Sequence, residues 1–259
     1  MRLNSPAFRS TPAGVTFTTD GGPGKHRIGL IVLSNDYVTE RDFINARPSD
    51  DVALYTSRVP NTAECSLETL PEMAPHITAA AGLIVPQGRL DVIAYCCTSG
   101  TVVMGYDEIC QRIHAVRPGI PVVTPITASL AALDRFNATT LAVLTPYTDD
   151  VNGAIAAHLT EQGKEVCAFT SFQIQDNEVM AALPSEAIYQ AALRADCAQA
   201  DALFISCTAI RAVDVVDRIE AALGKPVVTA NQAMIWQSLR RAGYAAPVPG
   251  FGRLLSHIP

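Results

Sequence analysis

Apolar residues along this chain gather into short runs rich in β-branched side chains, separated by longer stretches in which apolar positions return every three or four residues. In the first half the runs fall at 28–33, 52–59, 90–97 and 121–124, and in the second at 141–145, 166–174, 202–207 and 226–229. Short apolar runs alternating with helix-period segments read as β-α-β units, and hence as a parallel sheet covered by helices. Helix signals sit in the intervals. Thr127 or Ser129 is placed to cap a segment through Phe136, and Thr148 or Asp149 one through Gln162 that stops at Gly163. Ser185 opens another through Ala200, and a last segment, 231–242, ends at Gly243.

The two series match each other. Residues 91–98 read DVIAYCCT and residues 201–208 read DALFISCT, so that Asp, a run of mostly apolar positions, Cys and Thr recur in register. Residues 119–124, GIPVVT, lie likewise over residues 224–229, GKPVVT. The pattern predicts an α/β protein of two halves related by a pseudo-twofold axis, each a four-stranded parallel sheet, with the active site in the cleft between them. The expected boundaries are a polar arm over 1–25, a first half over 26–130 and a second over 131–229. Segment 230–259 is expected to pack back on the first half.

Composition narrows the function. With 49% hydrophobic and 17% charged residues, the 259-residue chain has the apolar content to bury a core and does not read as disordered. A net charge of −6 and the lack of any long Lys/Arg run argue against a nucleic-acid partner. No apolar stretch reaches the roughly 18 residues that spanning a bilayer takes, and the first 25 residues lack the apolar core of a secretory signal. Seven cysteines, an odd number, point to reduced thiols in a cytoplasm rather than to a disulfide framework.

Ligands of parallel sheets bind beyond the carboxyl ends of the strands. Cys97 and Cys207 sit there, at equivalent positions of the repeat. Two thiols facing one cleft from opposite sides suit chemistry at a planar carbon, one attacking or taking a proton while the other supplies one. A single strand cysteine is usually a small buried apolar residue; duplication sets these two apart. Cys96 points to the other strand face, and Cys65, Cys110, Cys167 and Cys197 have no counterpart, so these five read as structural. Each of the pair precedes a Thr and a helix-like stretch whose N–H groups would lower a thiol's pKa. Ser34 and Asn35 after the first strand, Thr145 to Tyr147 after the fifth, and Thr98, Ser99 and Thr208 add neutral donors able to hold a carboxylate or a developing oxyanion. No P-loop, G-x-S-x-G or G-x-G-x-x-G occurs, and the five histidines lack metal-ligand spacing, so neither a cofactor nor a metal is implied.

The motifs GLIVLSND around Asn35, AYCCTSGTVVMG around Cys97, VLTPYTDDVN around Tyr147, FQIQDNEV around Asn177 and FISCTAIRA around Cys207 carry a family likeness. Over residues 26–245 the chain resembles the aspartate/glutamate racemase superfamily, most closely its branch of maleate cis-trans isomerases, arylmalonate decarboxylases and racemase-like ectoine-utilisation proteins. The resemblance implies flavodoxin-like halves around a cofactor-free site. It makes Cys97 and Cys207 the catalytic pair and has Asn35, Tyr147 and Asn177 contact substrate. Thr98 and Ser99 match positions that bind a carboxylate and stabilise an enediolate in the decarboxylases. Those decarboxylases carry glycine where Cys97 stands, whereas amino-acid racemases read Cys-Asn-Thr and Cys-Thr-Glu against Cys97-Thr-Ser and Cys207-Thr-Ala here. The expectation is a cytoplasmic, homo-oligomeric, cofactor-independent two-cysteine isomerase or racemase of a small mono- or dicarboxylate. The alternatives are a decarboxylase and a non-catalytic metabolite-binding protein.

Overall fold

The computed structural model describes residues 9–257; the first eight residues of the expected arm and the last two of the C-terminal segment lie outside the described residues. Residues 9–23 are exposed and form neither helix nor strand. The first series then runs β1 (His26–Leu33), α1 (Thr39–Asn45), β2 (Val52–Val59), α2 (Ala74–Leu83), β3 (Val92–Tyr95), α3 (Thr98–Met104), α4 (Tyr106–His114), β4 (Val122–Val123) and α5 (Pro125–Arg135). The second runs β5 (Thr140–Thr145), α6 (Asp149–Glu161), β6 (Glu165–Ser171), α7 (Asn177–Ala182), α8 (Ser185–Ala195), β7 (Ala202–Ile205), α9 (Val216–Leu223), β8 (Val227–Thr229) and α10 (Ala230–Arg241), followed by α11 (Gly252–His257).

All eight expected strands form, in two parallel sheets of order β2-β1-β3-β4 and β6-β5-β7-β8. The sheets therefore have one topology, and the α/β duplication is present in three dimensions. Central strands β3 and β7 are buried along their whole length, which explains why they read as continuous apolar runs rather than alternating ones. Burying a side chain such as Ile93 or Phe204 contributes roughly 1.5–3 kcal/mol, and a single apolar cluster runs through both halves. The repeated Asp has a structural task. Asp91 Oδ2 accepts the Arg27 N–H at 2.7 Å, and Asp201 Oδ2 those of Thr139 and Thr140 at 2.9 and 2.8 Å, so each fixes the start of its sheet's first strand.

The repeated Thr closes the other end. Thr124 and Thr229 form capping boxes at the N-termini of α5 and α10, so α5 starts at Pro125 rather than at Thr127 or Ser129; proline is favoured at a first helical position because it has no N–H to satisfy. Helices α5 and α10 make the most extensive helix–helix contact in the molecule; α10 also packs on β1, β3 and β4, and α5 on β8. Helix α8 stops at Ala195, short of the expected Ala200, and Cys197 just beyond it forms a disulfide with Cys167 of β6. The reading of all seven cysteines as free thiols is corrected accordingly. No helix among the described residues is long and apolar enough to cross a membrane.

Candidate active site

Strands β3 and β7 end two residues earlier than the apolar pattern suggested, and those residues bring the cysteines out of the ladder. Cys97 is the extended N-cap of α3 (φ −142°, ψ 117°), and its Sγ accepts the Gly100 N–H at 3.2 Å. A Cβ on Gly100 would stand 2.8 Å from that sulfur and 2.9 Å from Met73 Cε, so only glycine lets the N–H approach. Cys207 has a different backbone. Its φ is +138°, a left-handed value that costs a non-glycine residue about 1–3 kcal/mol and persists where surroundings impose it. Its Sγ accepts the Ala209 N–H at 3.3 Å, and Tyr147 lies close enough to pull its pKa down. The helix-like stretch expected behind Cys207 is an irregular turn over 208–212.

Cys97, Cys207, Thr98, Ser99, Tyr147, Asn177 and Thr208 line one pocket, together with Leu33, Asn61, Cys65, Leu70 and Ala209. Asn35 is absent from the lining; its carboxamide donates to the Thr62 carbonyl at 2.9 Å and accepts from Asn61 at 2.8 Å, so it orients a lining residue. Asn61 and Cys65 follow β2, where the same rule about carboxyl ends applies, but no repeat marks them in the sequence. Cys65, expected to be structural, is the third thiol here, with Sγ 3.6 Å from Ser99 Oγ, which is itself 3.9 Å from Cys97 Sγ. Cys96 points away and donates to the Ala94 carbonyl in the core.

Burial dominates the electrostatics. It pushes the Cys97 thiol up to about 12 against the pull of Gly100 and Ser99, and Cys65 up to about 11. Cys207 is pushed higher still, although Tyr147 and the Ala209 N–H pull it down. All three therefore favour the protonated form at neutral pH. Among the described residues no lining residue is cationic, and Arg211 behind Cys207 donates its Nη2 to the Leu183 carbonyl. Neutral donors are what remain for an anion: Thr98 Oγ1 is buried without a protein partner among the described residues, and Ser99 and Asn61 face the same space.

Two loops close the pocket. The segment after β2 and the segment after β6 pair through Cys65 N to Gln175 O and Asn177 N to Ala63 O, both 2.9 Å, as an antiparallel bridge between Glu64 and Asp176. Asn177 Nδ2 adds bonds to the carbonyls of Thr62 and Ala63. The cavity left beneath is about 20 Å³, room for a water but not for an organic acid.

A duplicated α/β molecule with a buried cysteine at the matching strand end of each half, both facing one pocket, is the class that fold and geometry define. The arylmalonate decarboxylase family model matches residues 63–255, and the chain belongs to that family. The arylmalonate decarboxylase of Bordetella bronchiseptica is 34% identical over 139 residues, which span 52% of this chain and 58% of that enzyme. The maleate isomerase of Nocardia farcinica is 26% identical over 243 residues, 90% of this chain and 96% of that one. The solved structure of the Nocardia farcinica maleate cis-trans isomerase bound to TRIS superposes with a TM-score of 0.81 at 24% identity, covering 89% of this chain and 97% of that one.

Proposed function

We propose that the protein is a cofactor-independent cis-trans isomerase of a small dicarboxylate of the maleate type, with Cys97 as nucleophile and Cys207 as proton donor and acceptor. The observation that carries this reading is the convergence of two buried thiols, from matching strand ends, on one pocket lined by neutral donors. A decarboxylation that works through one thiol has no use for the second. The near full-length likeness to maleate isomerases supports the same choice.

In the proposed reaction Cys97 gives its thiol proton to a carboxylate of the substrate, which returns it when the sulfur–carbon bond later breaks, and its sulfur forms a bond to one alkene carbon. The π pair moves to the neighbouring carbon, which takes the proton of the Cys207 thiol. The new single bond rotates. The Cys207 thiolate then removes a proton from that carbon, the pair re-forms the double bond, and the sulfur–carbon bond breaks. Thr98, Ser99 and Asn61 would hold the carboxylates, and the closed loops, tied by Asn177, keep water from the adduct.

Incubation with maleate should yield fumarate, and intact-protein mass spectrometry should show a maleate adduct that peptide mapping places on Cys97. Cys97→Ser and Cys207→Ser should each reduce turnover by at least about 10³-fold. Full activity in either variant would sink the proposal. The family match and the Bordetella relative favour a second reading, decarboxylation of an arylmalonate; carbon dioxide release from phenylmalonate in place of maleate turnover would establish it.

A further inference from the structure

One buried carboxamide links α1 to the Cys207 turn. Asn231, near the start of α10 and 1% exposed, donates to Asp42 Oδ2 on α1 and to the Thr208 carbonyl, both at 2.9 Å. Turned over, the carboxamide would set its oxygen against two acceptors, so the partners fix its orientation. Thr229 and Gln232 form the capping box of α10 between themselves, so the Asn231 side chain is not used as a cap. Asp42 is as buried as Asn231. Its other oxygen takes Arg41 Nη1 at 3.1 Å, and Arg41 also binds Asp214; Asp36 is the remaining charged neighbour.

The Thr208 carbonyl and the Ala209 N–H are two ends of one planar peptide. Asn231 grips the first, and the second points at Cys207 Sγ. We propose that Asn231, held by Asp42, is a positioning residue for Cys207: it fixes the peptide whose N–H stabilises the thiolate left when Cys207 gives up its proton. The inference rests on the reading of Cys207 as the proton donor, and its test has a readout that needs no substrate.

Full-length wild-type protein and the Asn231→Ala variant are alkylated with iodoacetamide at pH 8, and the rates at Cys207 and Cys97 are read separately by peptide mass spectrometry. Both thiols line the same pocket, so loop opening cancels in the ratio. Weakening of the Ala209 N–H bond to the thiolate, once its peptide is no longer held, should slow Cys207 relative to Cys97 about tenfold. With maleate, kcat should fall while KM stays within about threefold. A ratio that is unchanged within twofold, or that rises, overturns the proposal. Should Asn231→Ala not fold, Asp42→Asn and Asp42→Ala decide: the amide of the first still accepts from Asn231, so its ratio should stay near wild type while that of the second falls, and equal ratios count against positioning. If wild type leaves maleate unchanged, the isomerase reading fails, and the alkylation ratio still judges the role of Asn231.

Discussion

Cys97 and Cys207 occupy one position in the sequence repeat but have different backbones, and the difference matches the work proposed for them. The extended cap geometry of Cys97 aims a helix-start N–H at its sulfur and leaves the thiol facing the pocket, as a nucleophile requires. Gly100 is the hinge of that arrangement. Gly100→Ala would drive a methyl to within 2.8 Å of Sγ, and displacements approaching 1 Å cost about 10²-fold in rate; a loss of that order in kcat, with secondary structure intact by circular dichroism, is the expected outcome, and unchanged turnover would contradict it. Titration gives a second test. The folded-state value of Cys97, about 12, lies above the ordinary thiol value of about 8.5. The fold therefore favours the neutral form, and the associated stability, complete below the unfolded value, is lost as pH rises toward the folded one. Between pH 8 and pH 10 the wild type should lose about 1–2 kcal/mol through this thiol. Cys97→Ser should show a correspondingly shallower decline in urea unfolding, and parallel slopes would refute the link.

At the scale of elements, the site depends on where strands stop and on which loops meet above them. The loops after β2 and β6 are tied by two backbone bonds, the Asn177 carboxamide and the exposed Gln175–Glu64 side-chain bond, outside either sheet. Their amides should accordingly open locally with a smaller free energy than the sheets. Hydrogen exchange should therefore find the Cys65 and Asn177 amides less protected than that of Ile93 in the free protein, and more protected once a dicarboxylate is bound. Strand-like protection without ligand would mean that the loops do not serve as the entrance. The central strands were legible in the sequence because parallel strands buried on both faces must be apolar throughout, and the helix after Thr148 because Thr and Asp at a helix start are a local signal. The strand ends were not, because Cys96, Cys97, Ser206 and Cys207 are as buried as the residues before them and only the hydrogen-bond ladder distinguishes them. The Cys167–Cys197 bond joins positions 30 residues apart, beyond the reach of local patterning. The start of α5 was readable after all in the Thr124-Pro125 pair.

On the scale of the whole molecule, the duplication was written in the sequence, but the means by which the halves become one object was not. The ties are long-range and carried by ordinary residues. The Thr208 hydroxyl donates to the Cys96 carbonyl at 3.3 Å, Asn231 bridges α1 and the Cys207 turn, and α5 and α10 pack together while each touches the other half's sheet. A common apolar cluster runs through both sheets, so neither half can lose its packing without exposing part of the other's. Unfolding should then be a single cooperative transition in which calorimetric and van't Hoff enthalpies agree, and tryptophan fluorescence, which reports Trp236 on α10, should change together with far-ultraviolet circular dichroism. Two resolved transitions would show that the halves are energetically independent. The thiols' shared pocket would then owe its geometry to the local ties at Thr208 and Asn231 rather than to a common core.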